Sequence, residues 1–266
     1  MNTPRYTFGL AGDTGANRTT NQDVVSAVLL SETSDFGCLD MGLFIVADGM
    51  GGDENGQKAA QIAVDMVTAS VTREIFNPLL YSNTDDVNIT VGHLLTTAVQ
   101  KANARVLKLP SKSAAGCTLT AALLIGELLY IAHVGDTRAY HFAQNQLAQL
   151  TEDHTLANTL VRLGEATWDD LRSGRVTYNH SVHRALGQSE ELQVDITVQH
   201  FLPSSQLLLC SDGLSGFNWD YVQEAEIFAI LRHSDPQTAC NRLVTLALER
   251  GTLDNLTALV VSSGKG

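Results

Sequence analysis

The stretch Leu43-Phe44-Ile45-Val46-Ala47-Asp48-Gly49-Met50-Gly51-Gly52 decides how this chain is interpreted. Its first five residues are apolar and have the length of a buried strand, whereas the glycines that follow mark a turn. Asp48 therefore stands at the end of a strand, where glycines keep side chains away. A carboxylate in such a place suits a metal ion, although Asp-Gly on its own is also a common turn sequence.

Four more acidic residues stand at the ends of apolar or β-rich runs. Asp136 and Asp212 follow such runs, whereas Asp23 and Asp254 precede them. Together with Asp48 they predict one shared site, provided that the fold brings the strand ends together. Each acid taken alone also fits a turn or a cap, and Asp136 could instead pair with Arg138.

Composition excludes several classes of protein. The 266 residues are 44% hydrophobic and 17% charged, which predicts a globular protein with one domain over 1–266. The net charge of −12 argues against a nucleic-acid-binding surface. No apolar run has the length of a membrane helix and no signal peptide is recognisable, so we expect a cytoplasmic protein without membrane contact. The four widely spaced cysteines are expected to be reduced and mostly buried.

The order of predicted elements indicates an α+β layered fold. Apolar residues recur at helical spacing over 56–76, 92–108 and 237–248, and a polar connection is expected at 77–86. Short β-rich runs at 118–125, 128–134 and 138–142, with turns between them, predict an antiparallel meander. Further strands are expected at 206–210 and 256–262, and a more helical, polar region at 154–190. Two stacked sheets with helices outside would place the strand-end acids on one rim.

Such a cluster of carboxylates, without histidine or cysteine neighbours, favours Mg²⁺ or Mn²⁺ over zinc. Two ions about 4 Å apart can activate water for attack on phosphorus. Arg18, five residues before Asp23, could grip phosphate oxygens with its guanidinium group, although a lone arginine is more often a solvated surface charge. His154 fits a structural residue better than a catalytic one, and His183 could donate a proton only if the fold brings it to the site.

Taken in order, the motifs resemble those of the metal-dependent serine/threonine phosphatases, the protein phosphatase 2C family, in its compact bacterial form. The resemblance covers nearly the whole chain. It is carried by Asp13-Thr14-Gly15, Arg18-x-x-Asn21-Gln22-Asp23, Asp48-Gly49-Met50-Gly51-Gly52, Gly116-Cys117-Thr118, Val134-Gly135-Asp136-Thr137-Arg138-Ala139-Tyr140, Leu150-Thr151-x-Asp153-His154, Ala185-Leu186-Gly187, Cys210-Ser211-Asp212-Gly213-Leu214 and Asp254-Asn255-x-Thr257.

The resemblance implies a four-layer α-β-β-α sandwich, with two antiparallel sheets flanked by helices and a metal centre in a cleft at one end. It implies hydrolysis of phosphoserine and phosphothreonine monoesters by a hydroxide that bridges two Mn²⁺ or Mg²⁺ ions, without a phosphoenzyme. Asp48 would bridge the ions, and Asp212 and Asp254 would complete the first. The Gly49 carbonyl would bind the second. The resemblance also implies the remaining roles. Asp23 would hold metal-bound waters, Asp136 would favour a third ion, Arg18 would bind the substrate phosphate, and residues 154–190 would form a mobile flap.

Four residues depart from the family pattern. Gln22 stands where some relatives have a glutamate ligand, so the second ion would rely more on water. Met50 takes the place of a histidine proposed as general acid in eukaryotic members, which leaves the leaving-group proton to water or to another residue. Asp53 replaces a histidine and Cys117 a threonine, and neither change removes a ligand.

Three other interpretations were weighed. The run from Gly49 to Gly52 resembles a dinucleotide-binding fingerprint, but Glu54 stands at the position of its last glycine and Asp48 would repel a pyrophosphate. A catalytically weak or dead phosphatase-like module could bind phosphoproteins or regulate signalling, although all the acids are present. A phosphatase restricted to one partner is a further alternative. The resemblance implies phosphorylated protein substrates, including a cognate serine/threonine kinase, and we expect a monomer.

Overall fold

The computed structural model describes residues 5–34, 37–51, 53–81, 90–110, 115–176, 181–215 and 221–264, without the side chains of residues 32–34, 38, 53 and 81. The strands are β1 (Tyr6–Asp13), β2 (Val24–Ser34), β3 (Gly37–Ala47), β4 (Gly49–Met50), β5 (Gly116–Cys117), β6 (Leu119–Ile125), β7 (Leu128–Val134), β8 (Arg138–Ala143), β9 (Gln146–Gln149), β10 (Asp195–His200), β11 (Gln206–Cys210) and β12 (Leu256–Ser263). The helices are α1 (Asp53–Val71), α2 (Asn77–Tyr81), α3 (Val91–Val106), α4 (Leu156–Arg162), α5 (Trp168–Arg172), α6 (Glu224–His233) and α7 (Pro236–Glu249), with a π-helical turn at Thr72–Phe76.

Two antiparallel five-stranded sheets form the centre of the fold. The first has the strand order β1-β12-β11-β8-β9 and the second the order β10-β7-β6-β3-β2. Helices α1 and α3 pack on the second sheet, whereas α6 and α7 pack on the first. The predicted four-layer α-β-β-α sandwich is confirmed.

Alternation along the central strands explains the layers. In β3, Leu43 and Ile45 face the helices, whereas Phe44 and Val46 face the opposite sheet. In β12, Leu259 likewise packs between the sheets. Because successive side chains of a strand point to opposite faces, a strand covered on both faces has an unbroken apolar sequence. Each such side chain, once fully buried, contributes about 1.5–3 kcal/mol to stability.

Strand register gathers the acidic residues. Val24 pairs with Ala47, so Asp23 and Asp48 lie beside each other at one end of the second sheet. Val134, two residues before Asp136, pairs with Leu119 at the same end. In the first sheet Cys210 pairs with Ala258, which places Asp212 near Asp254. The expectation that the fold brings these strand ends together agrees with this register.

Two local predictions were wrong. The runs at 118–125 and 128–134 form the hairpin β6–β7, but the third run, β8, pairs with β9 and β11 in the other sheet. The turn after β7 therefore crosses between sheets, and its Gly135 has a φ of 113° and lies against Thr118. The polar connection expected at Asn77-Pro78 is instead helix α2, which follows the π-helical turn. The rest of that connection, residues 82–86, lies outside the described residues.

The other predicted helices and strands agree with the structure to within a few residues, except that β2 and β3 are each six residues longer than the predicted runs 24–28 and 43–47. The sequence patterns do not predict β1, β4, β5, β9, β10 or α6. Cys117, Cys210 and Cys240 are buried free thiols, as expected, and the side chain of Cys38 lies outside the description. In the part of the chain that the structure describes, no helix combines the length and the apolar character needed to cross a membrane.

Candidate active site

Asp48 and Gly49 are held tightly by their backbone neighbours. The Thr118 amide donates to the Asp48 carbonyl at 2.9 Å, and Gly49 pairs with Cys117 in the short β4–β5 ladder. A Cβ atom on Gly49 would lie 2.4 Å from the Gly56 carbonyl oxygen, so only glycine lets the first turn of α1 pack here. This packing fixes the position of the Asp48 backbone, from which its carboxylate extends.

Asp23 joins the two sheets at the rim. Its Oδ2 accepts hydrogen bonds from the hydroxyls of Ser211, at 2.6 Å, and Thr257, at 2.7 Å. The Ser211 hydroxyl also accepts the Thr257 amide at 2.9 Å. Ser211 and Thr257 stand in two of the motifs that carry the resemblance, but the sequence analysis assigns them no role. Their positions, close to Asp212 and Asp254 along the chain, are the sequence signal that could have identified them.

The carboxylates perturb one another strongly. Burial raises the pKa of Asp48 well above its ordinary value, and the charges of Asp23, Asp212, Asp136 and Asp254 raise it further. Burial likewise raises the pKa of Asp23 to about 6 and that of Asp212 to about 7. The charge of Asp254 raises both pKa values, whereas a side-chain hydrogen bond with Asp48 lowers both. These mutual effects place the five predicted acids in one cluster, which concentrates negative charge.

Two oxygens in this cluster lack a donor. Asp23 Oδ1 and Asp212 Oδ1 are buried, and no hydrogen-bond donor among the described residues reaches them. Buried carboxylate oxygens are costly unless a proton, a donor or a cation compensates them, and hard oxygen ligands suit Mg²⁺ or Mn²⁺. The donor set therefore fits the divalent cations predicted from the sequence. Within the described residues, however, no three acidic, histidine or cysteine side chains are already arranged as ligands of one ion.

Arg18 forms an ion pair with Asp254, one of the five predicted acids. Its Nε and Nη2 donate to the two carboxylate oxygens of Asp254, each at 2.8 Å. Asn255 fixes the Arg18 loop, because its side chain donates to the Thr14 and Thr20 carbonyls and accepts the Gln22 amide. The structure thus brings Arg18 to the acid cluster, but pairs it with a predicted metal ligand.

Asp136 lies in the turn that crosses between the sheets. Burial raises its pKa well above the ordinary value, with a further contribution from the charge of Asp212. Arg138 forms its ion pair with Asp153 at 2.6 Å, so the alternative of an Asp136–Arg138 pair is wrong. His154 is buried and accepts the Gly135 amide at 2.9 Å, which supports the structural interpretation of that histidine.

The structure also shows the contacts of three residues that depart from the family pattern, Met50, Gln22 and Cys117. Met50 offers only its sulfur, to which the Gln188 amide donates at 3.7 Å, so it brings no proton to a leaving group. Gln22 is buried, and its side-chain nitrogen would lie 2.8 Å from a Cβ on Gly56. Cys117 exchanges backbone hydrogen bonds with Leu186 at 3.1 and 2.9 Å, which connects two of the quoted motifs. The Asp53 side chain is not described.

Comparison with known proteins agrees with this geometry. The family model described as Protein phosphatase 2C matches residues 13–256. The chain belongs to the protein phosphatase 2C family. This phosphatase chain is 34% identical over 227 residues to the serine/threonine phosphatase stp of Listeria innocua, covering 82% of this chain and 83% of that protein.

Solved structures of the family are similar throughout. The Mycobacterium tuberculosis serine/threonine phosphatase PstP/Ppp is 30% identical, with a TM-score of 0.78 and coverage of 97% of this chain and 99% of that one. The catalytic domain of PstP in complex with two manganese ions is 29% identical, with a TM-score of 0.75 and coverage of 98% and 99%. Membership of this phosphatase 2C family confirms the resemblance and the prediction of a metal-dependent protein serine/threonine phosphatase. The alternative of a catalytically dead module is not favoured.

Proposed function

We propose that this phosphatase hydrolyses phosphoserine and phosphothreonine monoesters of proteins at the cluster of Asp23, Asp48, Asp136, Asp212 and Asp254. The observation that carries the proposal is the pair of buried carboxylate oxygens without donors, on Asp23 and Asp212, beside Asp48. Negative charge collected in this way needs cations. In the reaction a water oxygen bonds to phosphorus, the ester P–O bond breaks, and the serine or threonine oxygen takes up a proton.

Asp48, Asp212, Asp254 and the Gly49 carbonyl would hold two Mn²⁺ or Mg²⁺ ions. Bound there, such ions would lower the pKa of water and polarise the phosphoryl group. Asp23 would accept hydrogen bonds from water at the site through Oδ1, since its Oδ2 is already taken by the Ser211 and Thr257 hydroxyls. Asp48, Asp212, Asp254 and the Gly49 carbonyl would therefore bind the ions, whereas Asp23 would orient water.

Arg18 would bind the substrate phosphate after leaving Asp254. The two side chains are 48% and 37% exposed, and an ion pair with this exposure is worth about 0–1 kcal/mol. Such a pair can be exchanged readily for a phosphate dianion, which a guanidinium group binds through two parallel hydrogen bonds. An open pocket of about 280 Å³ between Asn17, Leu253 and this pair offers room for the phosphate.

Several finer assignments belong to the same proposal. A third ion would be held by Asp136, whose carboxylate is influenced by the charge of Asp212. Residues 154–190 would act as the flap, since Ala157, Ala166 and Leu171 form a small cluster of their own there. The enzyme would act as a cytoplasmic monomer within the single domain 1–266, and a cognate serine/threonine kinase would be among its substrates.

Hydrolysis of a phosphothreonine peptide with and without Mn²⁺ tests the proposal. Wild type should release phosphate only with the ion, and Asp48→Asn should lose activity at every Mn²⁺ concentration. Asp65→Asn is the matched control, because Asp65 lies exposed on α1, where its carboxylate accepts a hydrogen bond from Gln61 one turn away. Release of phosphate by Asp48→Asn at the wild-type rate would overturn the assignment of the site.

A further inference from the structure

The dipeptide Asp153-His154 contacts the Asp136 turn on both sides. The His154 amide donates to the Gly135 carbonyl at 2.7 Å, and the Gly135 amide donates to His154 Nδ1 at 2.9 Å. These reciprocal hydrogen bonds hold the residue that directly precedes Asp136. His154 is 4% exposed, so water does not compete for them.

On the other side of the turn, Asp153 holds Arg138. Arg138 Nε donates to Asp153 Oδ1 at 2.9 Å, and Arg138 Nη2 donates to Asp153 Oδ2 at 2.6 Å. The side chains are 11% and 7% exposed, and Arg138 Nη1 also reaches the Tyr140 hydroxyl at 3.0 Å. A buried, bidentate pair of this kind resists displacement because breaking it would leave an unpaired charge in the protein interior.

His154 also joins the turn to the segment 181–195. Its Nε2 lies 3.0 Å from Asp195 Oδ2, whose other oxygen accepts Arg184 Nη1 at 2.8 Å. The His154 carbonyl accepts the His183 amide at 2.9 Å. One imidazole thus touches both the turn and the segment 181–195, where Arg184 Nη1 also lies 2.9 Å from its Nε2.

The donors determine the tautomer. A backbone amide can only donate, so Nδ1 carries the lone pair and the single proton of a neutral ring lies on Nε2. Asp195 Oδ2 accepts that proton at 3.0 Å, so Arg184 Nη1, which also lies 2.9 Å from Nε2, donates to Asp195 Oδ1 instead. Burial lowers the pKa of His154, which keeps the ring neutral near pH 7. The same ring therefore accepts from the turn and donates to the segment 181–195.

We propose that Asp153 and His154 are positioning residues that fix the Asp136 turn and connect it to the segment 181–195. The consequence for activity rests on the proposed role of Asp136, whereas the hydrogen-bond arrangement does not. Two substitutions separate the two bonds of the imidazole. His154→Asn keeps an acceptor close to the position of Nδ1, and His154→Gln keeps a polar group close to that of Nε2.

Hydrogen exchange of backbone amides in the metal-free protein, followed by NMR, tests the proposal directly. His154→Gln should make the Gly135 amide exchange about tenfold faster or more, since a buried donor loses its acceptor. His154→Asn should keep Gly135 protected and accelerate exchange over 181–184 instead. His141→Gln, at another buried histidine, is the control and should change neither region.

Kinetics with a phosphothreonine peptide supply the second readout. His154→Gln should lower kcat with KM nearly unchanged, and His154→Asn should restore kcat. Unchanged Gly135 exchange in His154→Gln, or equal acceleration at Gly135 in both His154 variants, would overturn the proposal. Faster Gly135 exchange in His154→Gln with unchanged kcat would support the hydrogen-bond arrangement and count against Asp136 in the proposed function, so the two failures can be distinguished.

Discussion

His133 couples the stability of the second sheet to pH. It is 2% exposed, its Nδ1 lies 2.9 Å from the Thr120 hydroxyl, and its Nε2 lies 3.1 Å from the Glu152 carbonyl. Burial, with a smaller contribution from the nearby His154, lowers its pKa from 6.5 to about 4. The native protein thus keeps this ring neutral at pH values where an unfolded chain would protonate it.

The sign and size of the effect follow from proton linkage. Between pH 4 and 6.5 the unfolded chain binds more protons at this site than the native protein does, so the free energy of unfolding rises with pH. The contribution is complete above pH 6.5 and is lost as the pH falls towards 4. With these two pKa values, the loss from pH 7.5 to pH 5 is about 2 kcal/mol.

Urea denaturation of metal-free wild type and His133→Gln at both pH values measures this contribution. Wild type should lose about 2 kcal/mol more than the variant between pH 7.5 and pH 5, because glutamine does not titrate there. The acidic cluster titrates in both proteins and cancels in the difference. His200→Gln, at an exposed histidine of β10, should behave like wild type. Equal pH dependence in His133→Gln and wild type would refute the reasoning.

Three further substitutions test the site. Arg18→Ala should raise KM for a phosphopeptide with little change in kcat, and an unchanged KM would argue against the phosphate contact. The same variant should bind Mn²⁺ up to about fivefold more tightly in calorimetry, because the Arg18–Asp254 ion pair, worth up to ~1 kcal/mol, no longer competes with the ion. Gly49→Ala should cost about 1–3 kcal/mol in urea denaturation, since its Cβ would meet the Gly56 carbonyl oxygen at 2.4 Å; wild-type stability would contradict this packing. Ser211→Ala removes one of two hydroxyl donors to Asp23 and should cost about 1–3 kcal/mol while weakening Mn²⁺ binding; unchanged Mn²⁺ affinity would show that Asp23 needs no such support.

Local patterns in the sequence predicted an α+β layered fold and the cluster of acids, whereas the specific four-layer sandwich was implied by the family resemblance. An apolar strand that ends in an acid and a glycine is visible in ten residues, as at Asp48 and Asp212. The antiparallel register then brings these acids to one rim, since it aligns the end of one strand with the start of its neighbour.

Long-range partners could not be predicted in this way. β8 pairs with β11, which lies more than sixty residues later, so the local turn at Gly135 was taken for a hairpin. The pairing of Arg18 with Asp254 spans 236 positions and depends on the loop that Asn255 holds. In both cases the chain passes from one sheet to the other, and no spacing of residue types encodes that direction.

Anomalous diffraction from crystals grown with Mn²⁺ tests the central claim most directly, namely that acids from five strand ends form one metal centre. We expect two manganese peaks bridged by Asp48, with Asp212 and Asp254 on one ion, the Gly49 carbonyl on the other, and Arg18 released from Asp254. Carboxylate oxygens should lie about 2.2 Å from the ions. Manganese bound away from Asp48, or an Arg18–Asp254 pair intact beside a fully occupied centre, would contradict it.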